Sequence, residues 1–154
     1  VAGGRKSECG KIGKNFSQEV TAMEPKGIFT PKAPSPIGPY QQAIVVGDLL
    51  FTSGQIGIDP STGKLVPGGV EREAERIFRS LSAILEEAGS SPAQVIKVNI
   101  FLVDLGHFSL VNSIYEKFLG DSRPARTTVQ VAGLPMGAAI EVDLVARISR
   151  PRKE

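Results

Sequence analysis

Residues 139–148 alternate without a break. Ile140, Val142, Leu144, Ala146 and Ile148 fall on one side, and Glu141, Asp143, Val145 and Arg147 on the other. Successive side chains of a strand point to opposite faces, so this run predicts a strand buried on one face only. Such a strand needs paired neighbours and a layer over its apolar side. The layer is supplied by Val70–Ala88. Val70, Ala74, Ile77, Phe78, Leu81, Ile84, Leu85 and Ala88 recur at the three-and-four spacing of one helix face. Glu71, Glu73 and Glu75 load its first turns with negative charge that suits the helix dipole, and Gly89 stands where a helix commonly ends.

The remaining elements fit around these two. Pro31, Pro34, Pro36 and Pro39 make an extended lead-in. Gln41–Val46 and Leu49–Ser53 flank Gly47-Asp48 and predict a β-hairpin. Asp59–Gly63 and Pro67–Gly69 are turn clusters, and Ser91-Pro92-Ala93-Gln94 is a capped single turn. Val95–Leu102 is a strand with Ile96, Val98, Ile100 and Leu102 on one face. Phe108–Leu119 is a second helix, with Phe108, Val111, Ile114, Tyr115 and Phe118 on one side, and Thr127–Val131 is another strand. The order β-β-α-β-α-β-β is an α+β unit whose two helices cover one sheet face. The other face carries Lys97, Asn99, Glu141, Asp143 and Arg147 mixed with Val95, Phe101 and Val145. That mixture suits either a solvated face or a subunit interface holding water or ligand.

Composition removes several function classes. A chain of 154 residues, 41% hydrophobic and 22% charged, has room for one globular domain. Its single cysteine, Cys9, excludes an intrachain disulfide and favours a reducing compartment. His107 is the only histidine, which makes a zinc site or a histidine-based triad improbable; beside the helix start, it reads as solvated or capping. There is no phosphate-binding glycine loop and no apolar run near the ~20 residues of a membrane span. The pI of about 8.8 suggests a nucleic-acid partner until the charge is located. Residues 1–32 sum to +3 and 150–154 to +2, whereas 33–149 sum to −3. The expected organisation is a flexible basic N-terminal extension (1–32), one folded domain (33–149) and a basic C-terminal tail (150–154). The folded body lacks the concentrated basic surface that phosphate binding needs. A cytoplasmic location follows, or a mitochondrial or plastid one if residues 1–32 derive from a transit peptide.

Arg123-Pro124-Ala125-Arg126-Thr127-Thr128 places an arginine at the mouth of a strand, where a guanidinium can pair with a small carboxylate or phosphate. Taken alone, an ordinary surface arginine is the favoured reading. Glu141 lies on the mixed face, either as a solvated strand residue or as a carboxylate able to hold a water. The hydroxyls of Tyr40 and Ser53 suit a pocket lining or a turn.

Together the runs Ile37-Gly38-Pro39-Tyr40, Phe51–Gln55, Val111-Asn112-Ser113-Ile114-Tyr115 and Arg123–Arg126, followed by Ile140-Glu141-Val142, resemble the Rid (YjgF-type) family of reactive-intermediate deaminases. The resemblance spans residues 28–149. It implies a chorismate-mutase-like unit, a mixed sheet with two helices on one face, and a homotrimer formed through the other face with clefts between subunits. It implies hydrolytic deamination of 2-imino and enamino acids such as 2-aminoacrylate or 2-aminocrotonate, giving 2-keto acids and ammonia without cofactor or metal. This is the activity of a 2-iminobutanoate/2-iminopropanoate deaminase. By the same resemblance Arg126 clamps the substrate carboxylate and Glu141 positions the attacking water. Tyr40, Ser53 and Asn112 line the pocket, and backbone groups near Thr128, where many bacterial members carry Cys, contact the imine or water. Other expectations are a ribonuclease or translation inhibitor, an activity attributed to some members, and a non-catalytic trimeric binder of carboxylate metabolites. A chorismate mutase on the same fold matches the motifs less well.

Overall fold

The computed structural model describes residues 24–149; the expected C-terminal tail and most of the expected N-terminal extension lie outside them. The chain forms β1 (Lys26–Ile28), β2 (Ala43–Val46), β3 (Leu49–Thr52), β4 (Gln55–Ile56), β5 (Ile58–Asp59), β6 (Lys64–Leu65), α1 (Gly69–Glu87), β7 (Val95–Leu102), α2 (Phe108–Leu119), β8 (Ala125–Gln130) and β9 (Ile140–Arg147). Seven strands make one sheet in the order β1-β2-β3-β9-β7-β8, with β4 also paired to β9; β5 and β6 form a separate two-stranded ribbon. Among the described residues only β7 and β8 pair in parallel, joined by the α2 crossover. The sheet is therefore mixed, with both helices on one side.

The alternation of β9 sets this architecture. Ile140, Val142, Leu144 and Ala146 are buried beneath the helices, beside Leu50 of β3 and Val98, Ile100 and Leu102 of β7. From α1, Ala74, Ile77, Leu81, Ile84 and Leu85 pack onto them, and from α2, Val111, Ile114, Tyr115 and Leu119. Phe78 ties the two helices together, stacked on Phe118 at 4.8 Å and edge-on to Tyr115 at 6.1 Å. Gly89, at φ +73°, ends the α1 region as expected; its N–H donates to the Glu86 carbonyl and that of Ser90 to Leu85.

Four local features depart from the sequence pattern. A register shift between Val95 and Lys97 extrudes Ile96, which is 42% exposed, and turns Val95 into the core. The β-bulge reverses the expected facing of both residues, because an extra residue breaks the two-residue period. Residues 26–28, inside the expected N-terminal extension, pair with β2 and bury Ile28. Glu73 is not a free charge at the helix start but a buried side chain. Its carboxylate accepts the Ala139 N–H at 2.8 Å, tying α1 to the entrance of β9. Ser91 precedes the single turn Pro92–Gln94 without any side-chain cap bond.

Among the described residues, no helix is long and apolar enough to cross a membrane.

Candidate active site

Arg126 is the second residue of β8 and pairs with Val98 of β7. Val98 is a core residue, so the pleat turns Arg126 toward the helix side, at the sheet margin. There it meets one face of α2. Phe108, Asn112 and Tyr115 follow at i, i+4 and i+7, the spacing that stacks side chains along a helix. Arg126 Nη1 donates to Asn112 Oδ1 at 2.7 Å. Its guanidinium carbon lies 5.3 Å from the Phe108 ring centroid and 4.9 Å from that of Tyr115. An amide and two aromatic rings thus orient the cation while consuming few of its donors. Among the described residues it forms no ion pair. It lines a cavity of about 250 Å³ with Asn112, Tyr115, Glu116, Arg123 and Pro124. Burial pushes the Tyr115 phenol above its ordinary pKa, while the positive charges of Arg126 and Arg123 act in the opposite sense. Thr128, two residues further on, shares the face of Arg126, and its buried Oγ1 has no hydrogen-bond partner among the described residues.

Glu141 sits elsewhere. It is the second residue of β9, between Phe101 of β7 and Ile56 of β4, and its side chain emerges on the face away from the helices. The carboxylate lies against Gly54, where a Cβ would overlap Glu141 Oε1. Burial, and then the neighbouring Asp143, raise the Glu141 pKa above the ordinary glutamate value. It shares a cavity of about 330 Å³ with Pro34, Ile37, Tyr40, Ser53 and Gly54. Tyr40 Oη accepts the Ile37 N–H at 3.3 Å, and Ser53 Oγ donates to the Gln41 carbonyl at 2.6 Å. Both hydroxyls shape the lining while also serving local turns. The cavity wall is held by buried Gln42, whose Nε2 donates to the carbonyls of Thr30 and Pro34 and whose Oε1 accepts the Thr30 N–H.

The structure therefore groups Arg126, Asn112 and Thr128 at one place, and Tyr40, Ser53 and Glu141 at another. Arg126 and Glu141 project from opposite faces of the sheet, and the single chain does not bring them together. Sequence inspection missed the ring clamp of Phe108 and Tyr115, although the 108/112/115 spacing carries it. It also missed the close approach that reserves position 54 for glycine. His107 belongs to neither group: it precedes α2 without a side-chain cap bond, its Nε2 4.0 Å from Asp104. No cluster of three metal-ligating side chains occurs among the described residues.

The family model described as Endoribonuclease L-PSP matches residues 30–148, which include both groups. The chain belongs to this family, the Rid (YjgF-type) proteins. The present Rid protein is 47% identical over 124 residues to a RutC family protein of Pyrococcus abyssi, covering 80% of this chain and 98% of that one. It is 46% identical over 121 residues to the 2-iminobutanoate/2-iminopropanoate deaminase of Mus musculus, covering 79% and 90%. Among solved structures, RidA from an Antarctic Psychrobacter superposes with a TM-score of 0.77 at 41% identity, over 80% of this chain and 99% of the other.

Proposed function

We propose that this Rid protein hydrolyses 2-imino and enamino acids to 2-keto acids and ammonia, with Arg126 as carboxylate clamp and Glu141 as the base that positions water. The observation that carries this reading is the presentation of Arg126. Its guanidinium is oriented on three sides, faces a cavity and lacks an acidic partner among the described residues. A cation held in that way favours a small carboxylate ligand. The activity for which the mouse relative is named supports the same chemistry.

In the proposed reaction the 2-imino acid docks its carboxylate on Arg126, and its C=N carbon is the electrophile. Water adds to that carbon as Glu141 takes the water proton, giving a carbinolamine. That first proton passes to the nitrogen to complete the carbinolamine. The hydroxyl then gives up its own proton, which the nitrogen also receives, as the O–H electron pair forms the C=O bond and the C–N bond breaks with its pair leaving on ammonia. Water in and ammonia out balance the equation without oxidant or cofactor. A positioned base contributes about 10²–10⁴-fold, ample for an imine that already hydrolyses in water. Because Arg126 and Glu141 lie on opposite faces, the reading includes a trimer through the open sheet face, with each cleft combining Arg126 of one copy with Glu141 of the next. Exposed Ile44 and Phe51 on that face suit such burial. A nuclease is disfavoured by the −3 charge of residues 33–149.

The test generates 2-iminobutanoate from threonine with a dehydratase and traps it with semicarbazide. The wild type should raise 2-ketobutyrate formation and suppress the semicarbazone, and Arg126→Ala should not. Equal rates with and without wild-type protein would dismiss the deaminase.

A further inference from the structure

We propose that Arg123 extends the anion site of Arg126, so that the cavity they share selects 2-imino acids bearing a second carboxylate on the side chain. This rests on the deaminase reading and narrows its substrate class.

Arg123 stands in the turn between α2 and β8, three residues before Arg126 with Pro124 between them. Its Nη1 donates to the carbonyls of Gly120 at 2.7 Å and Ser122 at 2.8 Å. These bonds anchor the guanidinium to the end of α2. They leave Nε and Nη2 without a partner among the described residues, so three of the five N–H donors remain for a ligand. Arg123 and Arg126 line the same cavity of about 250 Å³. The charge of each reaches the phenol of Tyr115 between α2 and β8.

Neither arginine forms an ion pair among the described residues. Two like charges converging on one cavity repel, and their repulsion is relieved by a ligand that brings a negative group to each. A monocarboxylate neutralises one of them. A dicarboxylate brings a negative group to each, with the imine carbon beside the first carboxylate as the chemistry demands. Glu116 also lines the cavity but pairs with neither arginine, and its charge opposes the second carboxylate.

The experiment compares two imines made in situ under semicarbazide competition: 2-iminobutanoate from threonine dehydratase and 2-iminoglutarate from L-glutamate oxidase. The readout is the ratio of the two accelerations. The dicarboxylic imine should be favoured by the wild type, and Arg123→Gln should lower that ratio about tenfold, the worth of one charge-assisted contact. Glu116→Gln should raise it. A measurement on the wild type alone guards against a misfolded variant: 2-ketoglutarate should inhibit at lower concentration than 2-ketobutyrate. Acceleration of the monocarboxylic imine alone, or a ratio unmoved by Arg123→Gln, overturns this inference and leaves the deaminase standing. No acceleration of either imine overturns both.

Discussion

Arg126 and Glu141 make different demands on their surroundings, and substitutions separate them. Arg126 depends on a planar fork, bonded to Asn112 and lying against two rings. Lysine keeps the charge but loses the stacking and the two-pronged grip on a carboxylate. Arg126→Lys is expected to lose about tenfold or more in kcat/KM, chiefly through KM, as steady-state kinetics would record. Glu141 pays for its position in stability, since its pKa in the folded protein lies above the ordinary glutamate value of 4.5. Between those two pKa values the folded state binds more protons than the unfolded one, so ionising Glu141 lowers stability as pH rises through that window. Glu141→Gln should therefore melt above the wild type at pH 7 while losing deaminase activity, and the melting difference should close at pH values below 4.5. In the wild type the acid limb of the activity profile should fall above the usual glutamate range. At position 54 an added methyl displaces the carboxylate, so Gly54→Ala should lower kcat with a far smaller effect on the melting temperature. A fall in KM-dependent binding alone would count against that assignment.

At the scale of elements, a buried carboxylate adds a hydrogen bond between α1 and the entrance of β9 to their apolar packing. Removing the acceptor in Glu73→Ala leaves the Ala139 N–H unpaired near the core, at a cost of about 1–3 kcal/mol, measurable by urea denaturation. Glu73→Gln keeps an acceptor and should recover most of it. This tie was not legible in the sequence: a glutamate in the first turns of a helix fits the dipole equally well, and only the fold brings the 66-residue-distant backbone beneath it. The two helices and the strands β7 and β9 were legible because each repeats its pattern over eight residues or more. α2 runs over the expected Phe108–Leu119, and α1 is displaced by a single residue at each end. β1, β4, β5 and β6 were not, since two or three residues cannot show a period and take their conformation from the strands they pair with. The Ile96 bulge escaped for the related reason that alternation cannot announce where it will skip. At the site, Arg126 and Asn112 were visible as motif residues, but their bond and the rings around the guanidinium depend on α2 crossing over β8.

At the scale of the whole molecule, the separation of Arg126 from Glu141 makes assembly a condition of catalysis in the proposed trimer. The two halves each sit on rigid elements, one at the α2–β8 margin and the other on the open face of β9. Neither needs to move within its protomer; a neighbour in threefold symmetry supplies what the other lacks. This arrangement has a quantitative consequence. Arg126→Ala and Glu141→Gln homotrimers should both be inactive. If the two chains are unfolded together and refolded at equal concentration, about three-quarters of the trimers are mixed on statistical grounds, and each mixed trimer holds one cleft with both native residues. Activity should return to roughly one-quarter of wild type, and it should disappear when the variants are refolded separately and then combined without exchange. Sedimentation should show a mass near three times the 16.3 kDa chain in every active sample. A protomer that completed its own site would give no recovery on mixing, because each chain would carry its own defect. The same experiment thus decides whether the open sheet face, with its mixture of Phe51, Asn99, Glu141 and Asp143, is a solvated surface or the place where the site is made.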